Sequence, residues 1–523
     1  MRPGNFCRAW MSDLTAAASA ARVRGDNATA AAPAACGARR RYGAYALGAI
    51  GLLTAVRVLW LCMQSAGLYP DEAQYWFWAQ YPAWGYYSKP PLVPWLIALT
   101  TAAFGDSEAA VRLSAPLLHA VAAGFIYGIG ARLYDRRTGF WAALAYATFP
   151  GVSLSAFIIS TDAALLPCWA AALYAFVRAR EEPGGGRWWA VAGIAAGLGL
   201  LAKFAMAYWL ISALGFVAFV PQERRHLRPL LAATGLAVAI YLPNLWWNWS
   251  NGFVSYLHVR DNAHLAGSLI HPGHFLEFFG SQFGVIGPLF FAALIAIVAR
   301  PANLAAPPAR LLAAFSLPTL GLMLGESFLS RAEPNWAAPA YVSGIALAVA
   351  WALAGGWRRW LQAAVALNIA AAVALFGVTG ALAAAGIAVP AKYDPLHRLR
   401  GWRQLGDRVS ALLAEHPGLT LLADDRELLA ALIYYVHPHP LSAVEWNPVP
   451  GITDQWRLTN NIDRHPGGNF LAVTVHNLFD QMRPDFAELT PLTTIPIATG
   501  QNAGMTYYVY IARDFRGSGR RQR

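Results

Sequence analysis

The chain contains little cysteine and few charged residues for its length. Four of its 523 residues are cysteine and 13% are charged, whereas 57% are apolar. Two cysteines precede the first long apolar segment, the other two lie within apolar segments, and none has the spacing of metal ligands. This distribution argues against a disulfide framework or a zinc module as the basis of the fold. The high apolar content and the mean hydropathy of +0.38 indicate an integral membrane protein instead.

Acidic residues are also scarce relative to basic ones, which gives a formal net charge of +12. A basic chain can indicate a nucleic-acid partner, but here the basic residues do not form one patch. They occur in short clusters between apolar segments, as the positive-inside rule predicts for cytoplasmic loops. Membrane topology therefore explains the charge, and no nucleic-acid partner is predicted.

Eleven apolar segments are long enough to be candidate membrane spans, each of which needs about 20 residues. They lie near residues 43–64, 109–131, 138–159, 162–179, 187–203, 205–221, 228–247, 281–299, 309–329, 336–355 and 360–388. Arginine clusters fall on every second connection, starting with Arg39–Arg41. This alternation predicts an all-α polytopic membrane domain over 42–390 with the N-terminus in the cytoplasm. If the cell is Gram-negative, the membrane is the bacterial inner membrane and the outer side is the periplasm.

The two ends of the chain have a different character. Residues 1–41 lack an apolar core and are predicted to be a disordered cytoplasmic tail, with Met11 as a second candidate start. After residue 390, strand-like segments alternate with helix-like ones such as 403–415 and 426–436. We therefore expect a water-soluble α/β domain over 391–523, on the periplasmic side.

The loop 65–108 carries the most informative polar residues of the predicted outer face. Asp71 and Glu72 lie among Tyr and Trp side chains, and Lys89 precedes two prolines. Aromatic side chains prefer the membrane–water interface, where charged groups are costly unless they have partners or a function. A carboxylate here can act as a general base and a lysine can hold a lipid phosphate. The structural alternative is a salt bridge that fixes the loop.

Two further charged residues stand at the outer ends of predicted spans. Asp162 follows Ser160 and Thr161 and is either a helix N-cap or a site residue. Lys203 separates two closely spaced spans, where it either extends to the membrane surface or binds a phosphate or diphosphate.

A third group lies between the ninth and tenth predicted spans. Arg331 and Glu333 can pair with each other, and Asn335 adds a hydrogen-bonding group suited to a sugar. Four histidines occur in the outer loop 248–280, but without metal-site spacing. No cofactor is predicted, and a divalent metal is an option that the sequence does not itself indicate.

Seven segments together carry a resemblance to a known family. They are DEAQYWFW from Asp71, WGYYSKPPLV from Trp84, FGDSEAAVRL from Phe104, TDAALL from Thr161, GLGLLAK from Gly197, WWN from Trp246 and EPNWAAPAY from Glu333. As an ordered set over roughly 60–345, they resemble the GT-C polyprenyl-phosphate-sugar-dependent glycosyltransferases of the family 39 type. The chain is similar in particular to lipid A aminoarabinose transferases and to rhizobial galacturonosyltransferases of lipopolysaccharide core and lipid A.

The resemblance implies a GT-C membrane fold whose first outer loop covers the active site. It implies inverting transfer of a sugar from a polyprenyl-phosphate donor to a cell-envelope acceptor such as lipid A, lipopolysaccharide core or another glycolipid. Asp71 and Glu72 are then the candidate catalytic residues, and Lys89 and Lys203 contact the donor phosphate. The residues expected to line the substrate cavity are Asp162, Arg331, Glu333, Asn335 and Tyr87.

The sequence leaves the donor sugar and the acceptor open. Ser88-Lys89-Pro90-Pro91 is closer to the aminoarabinose enzymes, whereas the segment from Glu333 to Trp336 is closer to the galacturonosyltransferases. If the acceptor is a hydroxyl, Asp71 serves as base, and if it is a phosphate, Asp71 orients it. The alternatives are a protein O-mannosyltransferase-like enzyme, a polytopic transporter and, less well supported, a sensor. A transporter predicts half-sequence repeats and charges near the bilayer midplane, and neither is visible in the sequence.

Overall fold

The computed structural model describes residues 32–182, 185–262, 270–378, 381–382, 385, 396–449, 451–500 and 503–517. The first helix, α1, begins at Ala32, inside the segment predicted as a tail, and ends at Met63. Residues 1–31 and the predicted domain boundary at 390 lie outside the described residues.

Helices account for most of the chain up to residue 373. After α1 they are α2 (Pro70–Ala79), α3 (Leu92–Phe104), α4 (Glu108–Arg112), α5 (Ser114–Leu133), α6 (Arg136–Thr148), α7 (Pro150–Ser155), α8 (Thr161–Glu181), α9 (Gly186–Ala202), α10 (Ala207–Phe219), α11 (Leu227–Ser250), α12 (Val254–Asn262), α13 (Pro272–Val285), α14 (Pro288–Val298), α15 (Pro307–Leu329), α16 (Ala340–Ala354) and α17 (Arg358–Val373). A π-helical turn, Ala374–Val378, continues α17.

Among the described residues, six helices are long and apolar enough to cross a membrane. These candidate spans are Arg41–Met63, Glu108–Leu133, Thr161–Glu181, Pro221–Ser250, Pro307–Leu329 and Arg358–Val378. Several other predicted spans correspond to shorter apolar helices, including α9 and α16. The protein is therefore a mostly helical, multi-pass membrane protein.

The segment predicted as the span 281–299 is divided between two helices rather than formed by one. Helices α13 and α14 meet there at 117°. Gly287 between them has φ +92°, and a Cβ at this position would lie 1.9 Å from Asn368 Oδ1. The Asn368 amide also donates to the Ile286 carbonyl at 3.1 Å, which satisfies a backbone group freed by the bend. A side chain from α17 thus holds this bend, and its contact is not visible in the local sequence pattern.

Helices α8 and α16 form the centre of the membrane domain. Most of their side chains are buried on every face, including Trp169 and Phe176 of α8. A helix that is apolar all round is expected inside a bundle rather than at its surface. The first turn of α8 therefore lies inside the protein, at the end of the bundle that faces the outer loop.

The C-terminal part contains a small five-stranded sheet with helices packed against it, which we call the α/β domain. Its helices are α18 (Trp402–Glu415), α19 (Arg426–Tyr435), α20 (Gln455–Thr459) and α21 (Phe479–Met482). Its strands are β1 (Thr420–Ala423), β2 (Val444–Glu445), β3 (Phe470–Thr474), β4 (Phe486–Gly500) and β5 (Ala503–Phe515). The sheet order is β2-β1-β3-β5-β4, with β1 parallel to β2 and β3, and β5 antiparallel to β3 and β4.

Helix α19 joins this domain to the first outer loop. The Tyr434 ring meets Trp76 of α2 edge to face at 5.0 Å between ring centroids, and its hydroxyl donates to the Asp106 carbonyl at 2.5 Å. Gly67 donates its N–H to the Leu399 carbonyl at 3.0 Å, and a Cβ there would lie 2.9 Å from the same oxygen. This close packing fixes α2 between the membrane domain and the α/β domain.

Candidate active site

The two adjacent carboxylates of α2 have different surroundings. Both lie in the first turn of the helix, where a negative charge is favoured by the helix dipole. The Asp71 side chain is 44% exposed, whereas that of Glu72 is fully buried. Consecutive helical residues point about 100° apart, so only one of the two can face the open side.

Glu72 forms a buried ion pair with Arg112 of α4, with 2.6 Å between Oε2 and the guanidinium. Its carboxylate also accepts the backbone N–H groups of Tyr69 at 2.8 Å and Ile159 at 2.9 Å. Arg112 donates in addition to the carbonyls of Ala66 and Gly67. Both charged groups are thus saturated with protein partners, which is the salt bridge considered above as the structural alternative, although with Arg112 rather than Lys89.

Asp71 pairs with an arginine from the α/β domain. The Arg426 guanidinium, on the first residue of α19, lies 2.8 Å from the Asp71 carboxylate and donates to Gln74 Oε1 at the same distance. Asp425 caps α19 by accepting the N–H groups of Glu427 and Leu428, which orients its first turn. The sequence analysis did not identify Arg426, because no pattern links it to a loop some 350 residues earlier.

Asp162, Lys203 and Asn335 come together from three separate segments. The Lys203 ammonium lies 2.7 Å from Asp162 Oδ1, and the Asn335 amide donates to Oδ2 at 2.5 Å. Asp162 is 6% exposed, so its charge depends on these two partners. Asp162 and Asn335 line a cavity of about 370 Å³. The structure thus brings together three of the predicted site residues.

Lys89, in the loop between α2 and α3, is near enough to both groups of charges to be affected by them. Its ammonium makes no hydrogen bond or ion pair with any residue that the structure describes. Burial and the nearby Lys203 charge lower the pKa of Lys89, whereas Asp71 and Asp162 act in the opposite direction. The same ammonium contributes, after burial, to lowering the pKa of His258 to about 4. The charges of Asp71, Asp162 and Lys203 therefore all act on the Lys89 ammonium, which can bind an anion.

The remaining predicted cavity residues are not among those that line the cavity beside Asp162. Arg331 and Glu333 pair with each other at 3.6 Å on the surface, with side chains 66% and 51% exposed. Tyr87 packs its ring against His258 at 5.1 Å and donates its N–H to Gln455 Oε1 at 2.8 Å. Tyr87 thus borders the Lys89 region, whereas Arg331 and Glu333 make a separate surface contact.

In the described part of the chain, no group of three His, Cys, Asp or Glu side chains is close enough to hold a metal ion. The cations that face the carboxylates are instead side chains of the protein. Lys89, Lys203 and Arg426 can stabilise an anionic ligand without a metal.

The comparisons with known proteins agree with this chemistry. Residues 88–247 match the family model described as dolichyl-phosphate-mannose-protein mannosyltransferase. The lipid A galacturonosyltransferase RgtD of Rhizobium johnstonii is 32% identical over 380 residues, which cover 72% of this chain and 80% of the relative. The undecaprenyl phosphate-α-4-amino-4-deoxy-L-arabinose arabinosyl transferase of Pseudomonas savastanoi is 28% identical over 199 residues, 33% of this chain and 36% of that protein.

The fold resembles that of a solved enzyme. The structure of ArnT from Cupriavidus metallidurans bound to undecaprenyl phosphate matches with a TM-score of 0.58 and 17% identity, over 89% of this chain and 98% of that one. Its apo form matches with a TM-score of 0.56. Taken with the extended similarity to RgtD, this likeness means that the chain belongs to the GT-C family of membrane glycosyltransferases.

Proposed function

We propose that this enzyme transfers a sugar from a polyprenyl-phosphate donor to lipid A, at the periplasmic face of the inner membrane and with inversion. The observation that carries the proposal is the set of charges at the outer end of the bundle: the Lys203 ammonium on Asp162 Oδ1 at 2.7 Å, the Arg426 guanidinium on Asp71 at 2.8 Å, and Lys89, whose ammonium has no partner among the described residues.

The donor phosphate is proposed to lie against Lys89, with Lys203 as the second cation. When the bond between the anomeric carbon and the phosphate oxygen breaks, the polyprenyl phosphate leaves with an additional negative charge. Fixed cations that face this oxygen stabilise the transition state more than the ground state. The ion pair with Asp162 fixes the position of Lys203, and the Asn335 amide fixes that of Asp162 by donating a hydrogen bond to its carboxylate.

The acceptor is proposed to approach Asp71 from the side of the α/β domain. If the nucleophile is a hydroxyl, Asp71 takes its proton as the oxygen attacks the anomeric carbon, and Arg426 holds the carboxylate in position. If the nucleophile is a lipid phosphate, no proton is transferred and the same carboxylate orients the acceptor. Glu72 is proposed to position α2 through its ion pair with Arg112, because both oxygens of the Glu72 carboxylate already accept hydrogen bonds from the protein.

A galacturonosyl donor is the proposed substrate, since the similarity to RgtD extends over 72% of this chain and 80% of that protein. An aminoarabinose donor is the second candidate, supported by Lys89-Pro90 and by the similarity to the arabinosyl transferases. The finer topology belongs to the same proposal: about 11 membrane-crossing segments, a cytoplasmic N-terminus and a periplasmic α/β domain.

Mass spectrometry of lipid A from a deletion strain tests the function. We expect the loss of one hexuronic-acid-sized substituent and its return on complementation with the wild-type gene. Lys89→Ala should not restore it, whereas Arg260→Ala should, because Arg260 is an exposed outer-loop cation paired with Asp261.

The other outcomes are also informative. Loss of an aminopentose-sized substituent would replace the proposed donor with the second candidate. An unchanged lipid A profile together with loss of glycosylated membrane proteins would favour a protein O-mannosyltransferase-like activity. An unchanged profile of all glycolipids and glycoproteins would overturn the assignment of a transferase to this site.

A further inference from the structure

The segment that carries Lys89 has no regular secondary structure of its own. Residues 80–91 connect α2 to α3 without forming a helix or a strand. We call residues 84–89 the lysine loop. Buried backbone N–H and C=O groups need hydrogen-bond partners, and a loop without helix or strand bonds must find them elsewhere. The position of the Lys89 backbone therefore depends on the side chains that the rest of the protein supplies to this loop.

The membrane domain holds the lysine loop through two side chains. The Ser255 hydroxyl of α12 donates to the Tyr86 carbonyl at 2.7 Å. The Asn244 amide of α11 donates to the Trp84 carbonyl at 2.6 Å. Ser255 and Asn244 are both fully buried, where a polar group that loses its partner is costly. These two bonds therefore fix the first half of the loop against the helical bundle.

The α/β domain holds the same loop through Gln455. This residue is the first of α20, its side chain is buried, and its Oε1 accepts the Tyr87 N–H at 2.8 Å. Asp454 caps the helix by accepting the Arg457 N–H at 2.9 Å, which fixes the first turn of α20. The acceptor that meets Tyr87 is thus held on an ordered helix end.

Helix α20 is one of two places where the α/β domain reaches the candidate active site. Trp456 of α20 is buried and stacks on Phe77 of α2, with 5.3 Å between ring centroids. Arg426 of α19 pairs with Asp71 in the first turn of the same helix. One domain thus contacts both α2 and the lysine loop. The position of Lys89 relative to α2 therefore depends on how this domain docks.

The bonds to Tyr86 and Tyr87 are close enough along the chain to fix Lys89. The Tyr86 N–H donates to the Lys89 carbonyl at 3.2 Å, which closes the loop between these two residues. Two prolines follow at positions 90 and 91. A proline has a fixed φ and restricts the residue before it. Few backbone torsions therefore remain free at Lys89 once the loop is held.

We propose that Gln455 and Ser255 are positioning residues for Lys89, and that the α/β domain takes part in donor binding by holding the lysine loop. An ammonium on a fixed backbone binds an anion more tightly than a mobile one, because less conformational freedom is lost on binding. This inference rests on the proposed function, which assigns the donor phosphate to Lys89. It adds a role for a domain that is remote in sequence from that lysine.

Binding of undecaprenyl phosphate to the purified full-length protein in detergent tests the inference without requiring turnover. Gln455→Met removes the acceptor for the Tyr87 N–H and keeps a side chain of similar length. Ser255→Ala removes the donor to the Tyr86 carbonyl and changes little else, so it keeps the test available if Gln455→Met does not fold. We expect each variant to bind undecaprenyl phosphate roughly three- to tenfold more weakly, the effect of one neutral hydrogen bond.

Matched controls carry the same substitutions at exposed positions. Gln404→Met changes an exposed glutamine of α18. Ser250→Ala changes an exposed serine of α11 whose hydroxyl bonds within its own helix. Both controls should bind undecaprenyl phosphate as tightly as wild type does. The thermal midpoint of each variant, measured in the same detergent, reports on folding separately from binding.

A double-mutant cycle shows whether Gln455 acts through Lys89. Lys89→Ala should weaken binding by itself. Adding Gln455→Met to Lys89→Ala should weaken it little further, because the loop then carries no ammonium to position. Additive losses in this cycle would mean that Gln455 affects binding independently of Lys89, and the inference would be overturned.

The outcomes separate this inference from the proposed function. If the wild-type protein does not bind undecaprenyl phosphate, or if Lys89→Ala binds it equally well, the proposed donor site is wrong and the inference falls with it. If Lys89→Ala weakens binding but Gln455→Met and Ser255→Ala both bind as wild type does, the proposed donor site stands. Lys89 is then positioned without these two contacts, and only the inference fails.

Discussion

Neighbouring carboxylates of α2 should respond in opposite ways to removal of their charge. Glu72→Gln is expected to destabilise the protein, whereas Asp71→Asn is expected to stop transfer while the protein stays folded. The reason is burial: the Glu72–Arg112 pair is fully buried, and the Asp71–Arg426 pair is 44% and 36% exposed.

The magnitudes follow from these surroundings. Removing one partner of a buried ion pair costs about 3–5 kcal/mol, because the other charge is left without compensation. Arg112 would keep its bonds to the carbonyls of Ala66 and Gly67, so the lower end of this range is expected. A half-exposed pair contributes about 0–1 kcal/mol. If Asp71 is a general base, its loss lowers the rate about 10²–10⁴-fold.

Both quantities can be measured on the same preparations. Heating in detergent followed by size-exclusion chromatography gives the temperature at which half of the protein is lost, and transfer assays give kcat. Glu72→Gln should show a lowered midpoint, and Asp71→Asn should match the wild-type midpoint with a much lower kcat. The reasoning is refuted if Glu72→Gln is as stable as wild type but inactive, since Glu72 would then act in catalysis rather than in positioning α2.

Three further predictions concern the cations of the site. The rate of transfer should fall as the pH rises through the lowered pKa of Lys89, because the ammonium loses its proton. Lys89→Arg should move this alkaline fall to higher pH. The same pH profile in wild type and Lys89→Arg would contradict the role of Lys89. Lys203→Met should cost about 3–5 kcal/mol because it removes the ammonium paired with the buried Asp162 carboxylate, and adding Asp162→Asn should recover much of this loss. Additive losses in this double-mutant cycle would show that the two side chains act independently. Arg426→Gln should lower kcat by roughly tenfold or more with a change in stability of about 1 kcal/mol or less. A wild-type kcat in this variant would remove Arg426 from the site.

The candidate site could be predicted from the sequence only in part. The polar residues at the outer ends of apolar segments pointed to Asp71, Lys89, Asp162 and Lys203, because charge at membrane depth is costly without a partner. Asn335 was identified for its amide and does contact Asp162. Arg331 and Glu333 fitted the same reasoning, yet they form a surface pair with each other. Sequence position alone cannot distinguish a charge that faces a cavity from one that faces water.

Two residues that complete the site were not predicted from the sequence. Arg112 was part of a family-like segment, and its position at the start of an apolar stretch on the outer side was a signal that could have identified it. Arg426 had no such signal, because it belongs to a helix whose docking against α2 depends on the packing of Tyr434 on Trp76. Contacts between distant segments are set by tertiary packing, which local patterns do not encode.

The class of this protein can be read from its sequence: a multi-pass membrane chain with strand-like segments at its end and an ordered set of glycosyltransferase-like segments. These features follow from the length of the apolar segments, the distribution of charge and the alternation of strand residues, which are local properties. Which of the two adjacent carboxylates is available depends instead on packing between distant segments. Because α2 is packed between two domains, its two carboxylates have different neighbours. Asp71 points toward Arg426 and the open side, whereas Glu72 points into the interior and pairs with Arg112.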